Sequence, residues 1–193
     1  LFGHVQSGKT GQMFGIASVA ADKGFRFFVL VTTDNTILYQ QTLERTKRSL
    51  GGFIDGFRVL GETDDGEFLT APKTPIPTIV VLKKNIRVLK HWLNHIASNA
   101  YFKDLPLFLL DDEGDASSLN TRINQSDVSA IHNALNGLRK QAPSSFYLHV
   151  TATPQSLLLQ AKESDWRPSF AHYIAPGTKY LGGDFFYGED SPC

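Results

Sequence analysis

The chain has 193 residues, 41% hydrophobic and 20% charged, which suits one globular domain or one domain with an extension. Nineteen basic residues balance nineteen acidic ones, which excludes a global electrostatic pull on nucleic acid and leaves only local patches for such contacts. The single cysteine, Cys193, excludes an intrachain disulfide, and no apolar run approaches the roughly 20 residues of a membrane-crossing helix.

The chain opens on Leu1 and Phe2, followed at once by Gly3-His4-Val5-Gln6-Ser7-Gly8-Lys9-Thr10. No basic segment with an apolar stretch behind it stands here, so no signal peptide is expected; with the lone cysteine this favours a reducing, cytoplasmic setting. The octapeptide fits G-x-x-x-x-G-K-[ST] in full, the P-loop or Walker A pattern. Such a loop normally follows a buried strand, of which only Leu1 and Phe2 remain, so the sequence is expected to be a piece of a longer protein. Each position has a chemical reason. Gly3 and Gly8 let the backbone turn tightly around an anion. The amides of the loop, Gln6 and Ser7 included, form a nest, and the following helix adds its positive end. Lys9 reaches the β- and γ-phosphates of ATP, and the Thr10 hydroxyl is a ligand for Mg²⁺.

Residues 9 to 23 read as a helix opening on this loop. Phe25 to Thr33 is a continuous apolar run, as expected of a buried parallel strand. Residues 35 to 49 follow as a helix, stopped by Gly51-Gly52. Residues 61 to 77, rich in acids, glycine and proline, read as a loop or irregular insertion. Thr78 to Lys83 is a strand, and residues 86 to 99 are a helix with Ile86, Leu89, Leu93 and Ile96 on one face. Leu105 to Leu110 is a strand running into Asp111-Asp112-Glu113. After a polar stretch, Ser126 or Asp127 caps a helix carrying Val128, Ile131, Leu135 and Leu138. Ser145 to Val150 is a strand ending at Thr151-Ala152-Thr153-Pro154. Leu157 to Ala161 forms a short helix in this reading, and the Gly- and aromatic-rich end is a separate small element. This alternation predicts an α/β fold with a mostly parallel sheet flanked by helices; with the P-loop it resembles a three-layer RecA-like P-loop NTPase domain over 1–155, followed by an extension over 156–193 leading to further domains.

Carboxylates that follow an apolar parallel strand stand where such sheets bind ligands. Asp112 is therefore assigned to the Mg²⁺ shell, as the Walker B acid, and Glu113 to activating water. Three adjacent acids leave the register open by one, with Asp111 as the alternative metal-side acid. Asp115 would link the nucleotide state to the neighbouring motif. Thr151 and Thr153 are placed to hydrogen-bond the acidic motif and sense the γ-phosphate.

Taken in order, GHVQSGKT, VLVTTDNTILYQQTLERTK, LLDDEGDA and VTATP resemble the first RecA-like domain of superfamily-two helicases. Asp112-Glu113-Gly114-Asp115 looks like their D-E-x-D box, and Thr151-Ala152-Thr153 like their S/T-A-T motif. Thr33 to Gln41 is similar to the segment that touches the nucleic-acid backbone. GHVQSGKT, LLDDEGDASSLNT and PGTKYLGG resemble more closely the bacterial proteins that carry the Z-one domain, described as endonucleases with a helicase-like module. The resemblance implies an ATP-dependent, DNA-directed ATPase, part of a bacterial restriction or defence endonuclease system, with DNA and proteins of a defence complex as partners and no membrane. The alternative is a P-loop ATPase switch that controls a protein partner without moving on nucleic acid. Helicases of this group complete their site with arginine fingers from a second domain, for which this chain has no room.

No acid is followed two residues later by lysine, so this segment lacks a common metal-dependent nuclease core. His91 and His95 have metal-ligand spacing in HWLNH, but Trp92 stands where H-E-x-x-H has glutamate, and an exposed or half-buried helix face is expected. Basic clusters at Arg45, Lys47 and Arg48, at Lys83 and Lys84, and at Arg139 and Lys140 are either phosphate contacts or solvated helix ends. Phe185, Phe186 and Tyr187 are assigned to core packing over base stacking.

Overall fold

The computed structural model describes residues 1–4, 8–52, 56–70, 72, 74–112, 125–154, 168–175 and 177, without the side chains of 125–129. Five strands form a parallel sheet: β2 (Phe27–Thr32), β3 (Arg58–Leu60), β4 (Thr78–Lys83), β5 (Leu107–Asp112) and β6 (Ser145–Val150), in the order β3-β4-β2-β5-β6. β1 (Phe2–Gly3) lies parallel to β7 (Tyr173–Ile174) in a second, two-stranded pairing. A parallel bridge between Phe2 and Thr151 ties β1 to the end of β6. The strand that leads into the glycine loop therefore stands beside β6, and β6 stands beside β5.

The sheet is covered on both faces, which is why its strands read as unbroken apolar runs. All six residues of β2 are buried. Alternation sends Phe28 and Leu30 to one face, with Ile79 and Val81 of β4 and Phe108 and Leu110 of β5. α1 (Lys9–Asp22) and α2 (Thr36–Thr46) cover that face through Met13, Phe14, Ala17, Tyr39 and Leu43. Phe27, Val29, Val31, Leu107 and Leu109 point to the other face, under α4 (Ile86–Ser98) and α5 (Gln125–Gln141). This is the three-layer α/β arrangement that the alternation of elements predicts.

The helix ends are chemically defined. α1 begins at Gly8 and ends at Gly24, whose φ of +100° closes a left-handed cap. There the Phe25 amide donates to Ala20 O and the Gly24 amide to Ala21 O, both at 3.0 Å. α2 and α4 both start just past a strand's carboxyl end with an asparagine cap. Asn35 Oδ1 accepts from the Ile37 and Leu38 amides at 2.9 and 3.1 Å, and Asn85 Oδ1 from the Arg87 amide at 3.0 Å. A π-helical turn, Lys47–Gly51, follows α2 and carries the chain towards β3.

Four elements differ from the sequence expectation. β3 has only three residues at the sheet edge, too few for periodicity to register. The acidic stretch after it contains α3 (Asp65–Phe68), a single turn anchored by Phe68. Phe68 is fully buried, stacked on Phe102 at 4.6 Å and edge-on to Trp92 at 5.2 Å. β5 runs on through Asp111 and Asp112 rather than ending at Leu110. Tyr173–Ile174, assigned from sequence to the extension, adds a strand beside β1. The expected helix at 157–161 and most of the aromatic end lie outside the described residues. Phe68→Ala is expected to destabilise the domain by about 3–5 kcal/mol in urea unfolding, because it leaves a cavity under three aromatic rings.

Candidate functional site

The carboxyl ends of β2, β5 and β6 meet the start of α1 around one cleft of about 840 Å³. Gly8, Lys9 and Thr10 line it from α1, Thr32 from β2, Asp112 from β5, and Thr151 just after β6. Gln41 and Arg45 of α2 line its other wall. These segments are far apart in sequence, and the parallel sheet brings them to a common edge.

Gly8 is the N-cap of α1 with φ +86° and ψ 17°. That left-handed conformation favours glycine, although no atom lies within 4 Å of where a Cβ would stand. The requirement comes from the backbone and not from crowding. The first helical amides have no partner within the helix, no side chain forms a cap bond there, and the first turn holds no acid. A helix start of this kind attracts an anion. Lys9 Nζ donates to Gly3 O at 3.1 Å and His4 O at 2.6 Å, folding back over the start of its own loop. Gly3 is fixed by its backbone N–H, which donates to Thr151 O at 3.3 Å.

Strand alternation settles the register of the two aspartates. Asp111 lies on the α4 side of the sheet and is fully buried. Its Oδ1 is 2.6 Å from Lys84 Nζ, and its Oδ2 accepts from Tyr147 Oη at 2.5 Å, with His149 Nδ1 at 3.5 Å. Lys84 Nζ also donates to Asp112 O at 2.9 Å. Asp112 therefore points to the α1 side, where it lines the cleft. Burial by itself raises the Asp111 carboxyl pKa. The charges of Lys84 and His149 and the hydrogen bonds from Lys84 and Tyr147 outweigh that and hold it below its ordinary 3.8.

Gly8, Lys9, Thr10, Asp112 and Thr151 thus share one cleft. Gln6, Ser7, Glu113 and Asp115 lie outside the described residues. Thr151 is buried, and its Oγ1 accepts the Thr153 amide at 2.9 Å, while Thr153 is exposed and does not line the cleft. Lys83 and Lys84 are neither a phosphate-binding patch nor a solvated helix end. Lys83 pairs with Glu62 at 2.9 Å, and Lys84 is buried at 2% exposure. Gln41 ends the stretch singled out for its resemblance to a nucleic-acid-contacting segment and Arg45 lies four residues beyond it, but the packing of α2 puts both of them in the wall of this cleft.

No family model matches the chain, and no curated protein matches it.

Removing one partner of a buried ion pair strands the other charge. Lys84→Met is expected to cost about 3–5 kcal/mol at neutral pH, read by denaturant unfolding. Asp111 has a depressed folded pKa, so its contribution is present above pH 3.8 and is lost as pH falls through the lower folded value. As pH falls, the gap between Lys84→Met and the wild type should narrow, because protonating the stranded Asp111 removes its uncompensated charge while the wild type loses its paired one.

Proposed function

We propose that the cleft binds ATP with Mg²⁺ and that the chain is the nucleotide-binding motor domain of a helicase-like, DNA-directed ATPase. One observation carries the nucleotide reading. The start of α1, at Gly8, Lys9 and Thr10, which holds no acid in its first turn, lines the same cleft as Asp112 at the end of β5. An anion site and a carboxylate stand opposite each other across space suited to a triphosphate.

In this reading Lys9 exchanges the Gly3 and His4 carbonyls for phosphate oxygens. The Thr10 hydroxyl and the Asp112 carboxylate are hard oxygen donors, the chemistry Mg²⁺ takes, so the pair fits that ion. When bound, Mg²⁺ would neutralise charge on the β- and γ-phosphates. Glu113, next after Asp112, would polarise the attacking water. Thr151 and its turn would report the state of the γ-phosphate to the acidic segment.

The motor half of the proposal rests on the order of the four motifs. It is supported by the rim of the cleft, where the first turn of α2 exposes Ile37 at 69% and Leu38 at 43%. An apolar pair at the mouth of a nucleotide cleft is a place for a second domain to close. Such a domain would bring an arginine finger, worth about 10³–10⁵ in rate.

Calorimetry with ATP and Mg²⁺ tests the nucleotide reading. The chain should bind with a dissociation constant on the order of micromolar, and Lys9→Ala should weaken binding at least about tenfold. Asp112→Asn should remove the dependence of binding on Mg²⁺ while leaving the fold intact by circular dichroism. Equal affinity in wild type and Lys9→Ala would sink the assignment. Turnover by this chain alone should stay slow and rise with DNA only when a second domain is present; a brisk steady-state rate from the chain alone would overturn the motor reading.

A further inference from the structure

On the α4 side of the sheet, away from α1, three side chains converge that the nucleotide cleft does not use. His91 and His95 lie one turn apart on α4, and Asp65 is the first residue of α3. His91 Nε2 is 3.1 Å from Asp65 Oδ2 and 3.1 Å from His95 Nε2, and His95 Nε2 is 3.5 Å from the same Asp65 oxygen. Three donor atoms from two separate elements therefore form a nearly equilateral triangle.

The size of the triangle is informative. With metal–ligand distances of about 2.0–2.2 Å, the edge of a tetrahedron of ligands is roughly 3.3–3.6 Å, and a cis pair in an octahedron is roughly 2.8–3.1 Å apart. The three observed separations span these values. Hydrogen bonding satisfies the arrangement less well. His91 Nε2 faces both the carboxylate and the second ring, and one proton on that nitrogen serves only one of them. A divalent cation at the centre serves all three.

The triangle is also held from beneath. Trp92, between the two histidines in sequence, is fully buried, and its Nε1 donates to Glu62 O at 3.0 Å. Phe68, the last residue of α3, packs edge-on against the same indole. Asp64 Oδ2 accepts the Gly61 amide at 2.8 Å, shaping the turn that leads into α3. Core packing, and not the choice of surface rotamers alone, thus sets where Asp65 stands relative to α4. A site supported in this way is preorganised.

We infer that Asp65, His91 and His95 bind a divalent first-row metal ion, with zinc as the fitting ion. Two imidazoles and one carboxylate suit zinc and its neighbours better than Mg²⁺ or Ca²⁺, which take oxygen ligands. His91 is exposed, so the fourth position faces water and can accept a solvent molecule or an anionic ligand. The ion would tie the single turn α3 to α4, joining residues 26 positions apart.

The test uses the chain dialysed against a chelator and titrated with ZnCl₂ by calorimetry at pH 7.5. The expected result is saturable binding of one ion per chain and a rise in melting temperature with added zinc. His91→Ala, His95→Ala and the near-isosteric Asp65→Asn should each weaken binding by at least the roughly 10–100-fold that loss of an outer-shell partner costs. His172→Ala, an exposed histidine elsewhere, should leave it unchanged. Titration at pH 5.5 should show weaker binding, because imidazole must lose its proton to ligate. Absence of saturable heat, or equal zinc affinity in wild type and the His91→Ala/His95→Ala double variant, would overturn the site. Circular dichroism of each variant keeps unfolding from being mistaken for loss of a ligand.

Discussion

The contact on which the rest of the cleft depends is the buried pair Lys84–Asp111. Lys84 stands one residue past β4 and Asp111 lies within β5, with β2 between them. A lysine and an aspartate at 2% and 0% exposure are costly to desolvate separately. Together, with Tyr147 and the Asp112 carbonyl completing the bonds, they pin the end of β5 to its neighbours across the sheet. Once Asp111 is committed to the α4 side, pleating leaves Asp112 only the α1 side. The carboxylate that lines the cleft is thus positioned through a bond to its own backbone carbonyl and through the neighbouring aspartate.

Much of the fold was legible in the sequence because its strands are buried on both faces. Phe27–Thr32, Thr78–Lys83 and Ser145–Val150 are apolar runs that stand out against the polar helices and turns between them. β3 and α3 were not legible, since three strand residues and one helical turn carry no period. Their placement depends on long-range packing of Leu60 and Phe68 under α4. The loop Gly3–Thr10 could be found because a phosphate loop is made of consecutive residues. The choice between Asp111 and Asp112 could not, because it turns on where β5 stops. Reading that strand as ending at Leu110 hid the alternation that separates them. Gln41 and Arg45 lie beside the cleft only because α2 crosses there.

The two faces of the sheet differ in what they offer. The α1 side holds an open cleft with a helix start and a carboxylate. The α4 side holds a dense aromatic cluster of Phe27, Phe68, Trp92 and Phe102. Rigid aromatic packing is a good base for a precise cluster of side chains, and Asp65, His91 and His95 stand on it.

The strand under the glycine loop has an unusual set of neighbours. Phe2 and Gly3 are held by Thr151 on one side and by Tyr173 and Ile174 on the other, all more than a hundred residues downstream. Synthesis runs from the N-terminal side of a chain onward, so these partners emerge well after the loop strand does. Helices and inner strands can assemble while the loop strand still waits for an edge to join. The loop strand therefore gains its neighbours only after residue 174 has emerged, and a nascent chain cut short of that point would carry Phe2 and Gly3 without the strand that flanks them.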